Sequence, residues 1–193
     1  TFKSIMDSKQ IEEIAVHIVG LYFSKSQTIS PYISNNDKEP CWDGNLYIYS
    51  NPNKTNASLY GRIPVQIKGK AFKSGLFKEE IKYPVSTVNL KNYKRDGGIL
   101  YFVVNIWDDY ERIYYAELTP LRLKQYIKQS NGEVSCSINL SLLNDYSKSV
   151  DLKIRDFYDV LLLAKIIDFK SLVFYSLLIA AHSDITINHN FLI

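Results

Sequence analysis

The sequence predicts an α/β protein with a mixed β-sheet flanked by helices, and three segments carry this prediction. Residues 11–23 place apolar side chains at helical spacing. Residues 45–50 and 62–68 are rich in β-forming residues and are joined by a turn-forming stretch, which indicates an antiparallel hairpin. Residues 99–106 form a nearly continuous run of β-branched and aromatic residues, as expected for a central strand buried on both faces.

Local signals predict the remaining elements in turn. Polar residues with Ser, Asn and Pro indicate loops, while caps and glycine pairs mark where helices begin and end. The expected order is a first helix capped by Asp7 or Ser8, a loop at 28–40, a strand at 81–85, a helix from Ser86 or Thr87 to Gly97-Gly98, a strand at 112–118, a helix opened by Thr119-Pro120, and a strand at 133–140.

The character of the chain changes after Ser149. Residues 151–169 and 170–181 are dense in Leu and Ile and are interpreted as two helices. We therefore divide the chain into a domain at residues 1–146 and a helical extension at residues 147–193. The extension is expected to pack on the domain, to contact a second copy of the chain, or to join a further domain.

The composition bounds the class of protein. Hydrophobic residues make up 46% of the 193 residues, which suits a packed globular chain. The two cysteines, Cys41 and Cys136, lie far apart without a Cys or His ligand cluster, so a structural zinc site is not expected. The longest apolar run, at residues 172–181, is shorter than the roughly 20 residues that span a bilayer. We expect a cytoplasmic protein without a membrane span.

Positive charge is concentrated in one stretch. Residues 62–95 contain nine Lys and Arg and two Glu, a net charge of +7, so the rest of the +3 chain carries −4. A local basic excess fits a phosphate-backbone partner such as DNA, whereas a solvated lysine-rich loop would explain it equally well. The candidate nucleic-acid-binding residues are Lys70, Lys73, Lys78, Lys91, Lys94 and Arg95.

Three polar residues on the predicted hairpin point to chemistry. Asp43 precedes the first strand, and Gln66 and Lys68 end the second. Side chains two residues apart on a strand share a face, so Gln66 and Lys68 project together and Asp43 can face them across the hairpin.

These residue types suit phosphodiester hydrolysis with a divalent cation, because Mg²⁺ prefers hard oxygen ligands. Asp43 supplies a carboxylate, Gln66 a side-chain carbonyl and Ile67 a backbone carbonyl, while a glutamate of the first helix supplies a second carboxylate. Lys68 would stabilise the charged transition state and orient the attacking water.

The segments WDGNLYIY, GRIPVQIKGK and NLKNYKRDGGILYFVV resemble the PD-(D/E)XK nuclease superfamily, and especially its Mrr-like and Holliday-resolvase-like branch, whose third motif is Q-x-K. The resemblance covers about residues 12–118. It implies a restriction-endonuclease-like α-β-β-β-α-β core with a mixed central sheet. It also implies a catalytic set of Glu13, Asp43, Gln66 and Lys68, in which Asp43, Gln66, Ile67 and Glu13 hold Mg²⁺ or Mn²⁺.

Two residues depart from the superfamily pattern, and one assignment has an alternative. Trp42 stands where the name of the superfamily has Pro, and Gln66 replaces an acid, which leaves the site less negative. Glu12 is the alternative acid, because it lies nearer the apolar stripe of the first helix. The spacing of Glu13 to Val16 resembles related helices and favours Glu13.

The expected function is therefore that of a Mg²⁺-dependent DNA endonuclease, the effector of a bacterial anti-phage defence or restriction protein. It would contact the DNA backbone without strong sequence readout and act as a homo-oligomer or in a larger assembly. Two alternatives remain: a catalytically degenerate nuclease fold that binds nucleic acid or oligomerises, and a protein-interaction module that uses the C-terminal helices.

Overall fold

The protein is represented by a computed structural model, which describes residues 7–33, 40–72, 78–107 and 110–189, with side chains up to residue 168 and at residue 170. This part of the chain forms a seven-stranded sheet and four α-helices. In chain order the elements are α1 (Ser8–Ser24), β1 (Ile29–Ile33), β2 (Gly44–Tyr49), a 3₁₀ turn (Asn56–Ser58), β3 (Leu59–Ala71), β4 (Glu80–Ser86), α2 (Thr87–Asp96), β5 (Ile99–Trp107), β6 (Tyr110–Leu118), α3 (Pro120–Gln129), β7 (Ser135–Leu142) and α4 (Lys148–His189).

The sheet is mixed, which confirms the predicted α/β class. Its strand order is β1-β2-β3-β5-β6-β7-β4. Strand β3 pairs in parallel with β5 and antiparallel with β2, so the predicted hairpin is present. Strand β4 follows β3 in the chain but pairs with β7 at the far edge. Only two residue pairs join β6 to β7 among the described residues.

Helices cover both faces of the sheet, and each face has its own apolar core. One core joins α1 and the first part of α4 to residues of β3 such as Val65 and Ile67. The other core contains Leu90 and Tyr93 of α2 and Leu123 of α3. Because side chains alternate along a strand, Gln66 and Lys68 project on the face opposite Val65 and Ile67.

The ends of the helices follow from their sequences. Asp7 caps α1 in a capping box with Gln10, since each side chain accepts a hydrogen bond from the backbone of the other residue. Helix α2 ends at Gly97, whose φ of 99° lies in the left-handed region. Helix α3 begins at Pro120 after the cap residue Thr119.

The structure corrects two expectations about elements. The predicted loop at residues 28–40 contains edge strand β1, which tolerates Pro31 because an edge strand leaves one side of its backbone unpaired. The two helices predicted at 151–169 and 170–181 form one helix, α4. Residues 148–189 contain neither Gly nor Pro, so no residue there breaks the helix.

The first part of α4 belongs to the core of the protein. Val150, Ile154, Phe157 and Leu161 are buried at helical spacing among residues of α1 and the sheet. The start of the predicted extension therefore packs on the domain. The division of the chain at residue 146 stays a prediction. No helix in the described ranges has both the length and the apolar character needed to cross a membrane.

Candidate functional site

The candidate site lies where β2 begins and β3 continues beyond it. The Asp43 N–H donates to the carbonyl of Val65 at 2.9 Å, and β2 starts at the next residue. Beyond Val65, strand β3 remains paired with β5 but has no partner in β2. The backbone of Ile67 on this side is therefore available to other groups.

The Asp43 carboxylate occupies this open edge. Its Oδ2 accepts a hydrogen bond from the Ile67 N–H at 2.6 Å and another from the Gln66 side-chain Nε2. In a β-strand the N–H and C=O of one residue point to the same side, so the Ile67 carbonyl also faces the Asp43 side. The hairpin thus brings Asp43, Gln66 and the Ile67 backbone together, as the sequence predicts.

Residues around Asp43 fix its position. Gly44 has a φ of 139°, and a Cβ there would lie 2.1 Å from the Tyr32 carbonyl oxygen, so this turn requires glycine. Trp42 packs edge-to-face on Tyr93 at 6.2 Å between ring centroids. The Tyr93 hydroxyl donates to Gln66 Oε1 at 3.3 Å, which holds the amide against Asp43.

The structure places Glu12, and not the preferred Glu13, beside Lys68. Lys68 Nζ lies 3.0 Å from Glu12 Oε1, whereas Glu13 pairs with Lys9 at 3.7 Å along the helix. At about 100° per residue, Glu12 falls within the arc of α1 that faces the sheet, and Glu13 lies beyond it. Glu12, named as the alternative acid, is the glutamate that the structure places beside Lys68.

Close contact between α1 and β3 brings Glu12 to Lys68. A Cβ on Gly69 would lie 2.4 Å from the backbone oxygen of Ile11, the residue before Glu12. Glycine at position 69 therefore lets the first turn of α1 rest directly on the strand. This contact brings the residues next to Glu12 and Lys68 against each other.

Burial dominates the electrostatics of Asp43. It raises the pKa of the Asp43 carboxyl, while the Ile67 N–H, the Lys68 ammonium and the Gln66 amide lower this pKa and Glu12 raises it. A raised carboxyl pKa means that the ionised form is destabilised at this position. A cation placed beside the carboxylate would reverse that effect.

The oxygen atoms near Asp43 resemble the ligands of a hard cation more than those of zinc. No three His, Cys, Asp or Glu side chains of the described residues are grouped closely enough to hold a metal ion. Asp43 and Glu12 provide carboxylates, and Gln66 and Ile67 provide carbonyl oxygens. Carboxylate and carbonyl oxygens are the atom types that hard cations prefer as ligands.

The candidate nucleic-acid-binding residues fall into two groups. Lys70 and Lys78 line a cavity on the face of Gln66 and Lys68. Lys91, Lys94 and Arg95 are exposed on α2, and Lys73 lies outside the described residues.

Sequence reasoning missed two residues of the same cavity. Lys82 lies in β4, and the pairing of β4 with the distant strand β7 cannot be predicted from the sequence. Asn105 carries an amide within the otherwise apolar and aromatic run 99–106, a signal that could have identified it.

Comparison with protein-family models, curated proteins and solved structures gives no match to this chain.

Proposed function

We propose that this chain is a Mg²⁺- or Mn²⁺-dependent nuclease domain that hydrolyses phosphodiester bonds of DNA. The observation that carries the proposal is the contact of a partly buried carboxylate, Asp43, with the Ile67 N–H at the open edge of β3. Lys68 follows on the same strand and is paired with Glu12. Possible cation ligands and a positive charge therefore lie at two adjacent residues of β3, Ile67 and Lys68.

The topology is compatible with the proposed restriction-endonuclease-like core. The element order α1-β1-β2-β3-α2-β5 contains the α-β-β-β-α-β succession, with β4 inserted before α2. Strands β1, β2, β3 and β5 are neighbours in that order, and β4 lies elsewhere in the sheet. Among the described residues, the hydrogen bonds of Asp43 go to residues of β3 and not to β4.

Each residue has a proposed role. The carboxylate of Asp43, the carbonyl of Ile67, the Gln66 Oε1 and the carboxylate of Glu12 would hold the cation. When bound, the cation would neutralise charge on the phosphate and lower the pKa of a water molecule. Lys68 would orient the attacking water and stabilise the charge that develops on the phosphate oxygens.

The chain's own hydrogen bonds favour a second candidate, a nucleic-acid-binding domain without catalysis. Both ends of the Gln66 amide are satisfied by protein, with Nε2 on Asp43 and Oε1 on Tyr93. For Gln66 to bind a cation, this amide must turn. In the non-catalytic alternative, basic residues such as Lys70 and Lys78 bind the nucleic acid, and Asp43 only stabilises the hairpin.

Plasmid cleavage in Mg²⁺ or Mn²⁺ tests the proposal. Wild type is expected to nick supercoiled DNA, and the Asp43→Ala and Lys68→Ala variants are expected to lose at least about 100-fold in rate, the scale of one lost transition-state contact. Chelation by EDTA should abolish cleavage. Wild-type protein that binds DNA but does not cut it in either metal would favour the non-catalytic candidate.

A further inference from the structure

A cavity of about 540 Å³ opens on the face of the sheet that carries Gln66 and Lys68. Lys70 of β3 and Lys82 of β4 both line it, although three strands separate β3 and β4 in the sheet order. The Tyr83 and Tyr101 rings, on β4 and β5, are only 6.1 Å apart, so the β4–β7 pair folds back over β5. The volume lies within the range of roughly 300–1,000 Å³ that is typical of small-ligand sites.

The cavity is basic. Lys70, Lys78 and Lys82 line it with one acid, Glu80, and all four residues are exposed. The Tyr114 hydroxyl donates to the backbone carbonyl of Lys78 at 2.9 Å, which fixes the segment that leads into β4. Three cations against one anion favour a ligand that carries phosphate groups.

Asn105 places an amide in this cavity. The residue is 4% exposed, and its Oδ1 is buried without a hydrogen-bond partner among the described residues. Burying an acceptor without a donor is costly, so the unpaired Oδ1 points to a ligand that donates a hydrogen bond. A half-turn of the amide about its terminal torsion exchanges its two ends, so the cavity can meet either the carbonyl or the NH₂ group.

The cavity adjoins the Asp43 site. Lys68 and Lys70 lie on the same face of β3, separated by about 6.5 Å along the strand. Burial raises the pKa of the Tyr83 hydroxyl, and the Lys68 ammonium lowers this pKa while Glu12 raises it. Tyr83 therefore lies within electrostatic range of the Lys68–Glu12 pair and also lines the cavity.

We propose that this cavity receives one unpaired base of the nucleic-acid strand, next to the bond cleaved at the Asp43 site. An Asn amide pairs with a base edge that offers both a donor and an acceptor, and adenine is its usual partner. Tyr83 contacts the base, and Lys70, Lys78 and Lys82 contact the flanking phosphates. The inference rests on the proposed nuclease function and adds to it a nucleotide that the protein reads.

Binding to duplexes with one unpaired nucleotide tests this inference. The probes are fluorescein-labelled duplexes that carry a single bulged adenine or an abasic residue at the same position, in EDTA to prevent cleavage. Wild type is expected to bind the adenine duplex on the order of tenfold more tightly. Asn105→Leu should bind both duplexes with the affinity that wild type has for the abasic one. Equal affinity of wild type for both duplexes would overturn the inference.

An exposed residue provides a test that does not depend on a core substitution. Lys82→Ala should reduce the salt dependence of binding to the bulged duplex by about one counterion, and Lys124→Ala on α3 is the charge-matched control with no expected effect. Equal salt slopes for the two variants would contradict the placement of the phosphates.

Plasmid cleavage separates this inference from the proposed function. Cleavage without an adenine preference rejects the base-binding cavity alone. An adenine preference without cleavage supports the cavity and rejects the nuclease.

Discussion

At the scale of single residues, the site depends on which side chains reach the open edge of β3. Asp43 reaches it from the residue before β2 and accepts the Ile67 N–H that no neighbouring strand binds. Glu12 reaches Lys68 from α1, and Glu13, one residue further, does not. The contact of Asp43 with Gln66 could be predicted because a hairpin and strand alternation determine it.

The sequence does not determine which of the two adjacent glutamates lies beside Lys68. The helical wheel favours Glu12, and the resemblance to related helices favours Glu13. The deciding quantity is the rotation of α1 against β3, which depends on tertiary packing of residues such as Ala15 and Val19.

The two glutamates provide a matched pair of substitutions. Glu12→Gln is expected to lower the cleavage rate by about 10- to 100-fold, the usual effect of a group that supports a metal site, because it removes the carboxylate beside Lys68. Glu13→Gln should stay within about twofold of wild type, as for a surface substitution. The comparison is made from initial rates of plasmid nicking. A larger loss in Glu13→Gln than in Glu12→Gln would identify Glu13 as the acid.

At the scale of elements, the site requires α1 and β3 to be in close contact. Gly69 permits that contact because it has no Cβ. A Cβ at this position would collide with backbone atoms of Ile11, which can move only if the whole helix moves. Both elements can be predicted from the sequence, but the distance between them cannot. A glycine within a strand is a signal of close backbone approach, although it does not reveal which element approaches.

Gly69→Ala is therefore expected to displace α1 and with it Glu12. The free energy of unfolding should fall by about 1–3 kcal/mol, the usual cost of overpacking, and the cleavage rate should fall with it. Gly20→Ala, in α1, is the control. A Cβ at residue 20 meets nothing within 4 Å, so the free energy of unfolding should rise by about 0.5–1 kcal/mol. Thermal unfolding and nicking rates measure both effects. Unchanged stability and activity in Gly69→Ala would show that this contact does not position Glu12.

Two elements illustrate why the sequence alone was insufficient. The composition of β1 predicts a loop, because the segment is short, polar at Ser30 and interrupted by Pro31. Its pairing with β2 makes it a strand. The predicted division of α4 falls at Phe169-Lys170, although neither Gly nor Pro stands there to end a helix. In neither case does the hydrophobic pattern determine the element.

At the scale of the whole molecule, the path of the sheet brings distant residues together. Strand β4 pairs with β7, and this pair folds over the face of β5, so that Lys82 meets Lys70 across the cavity. The pairing of β4 with β7 is non-local, and periodicity along the chain does not encode it. The basic excess at residues 62–95 fits either a phosphate-binding surface or a solvated lysine-rich loop, and the sheet places Lys70, Lys78 and Lys82 at the cavity and leaves Lys91 and Lys94 on α2.

The central claim is that Asp43 and its neighbours bind a divalent cation, and Mn²⁺ binding measured by electron paramagnetic resonance tests it most directly. Wild type is expected to bind one Mn²⁺ per chain at the site. Asp43→Asn, which keeps the shape of the side chain but removes its charge, should bind at least about tenfold more weakly. Glu13→Gln should bind like wild type. A folded Asp43→Asn variant with wild-type affinity for Mn²⁺ would contradict the account.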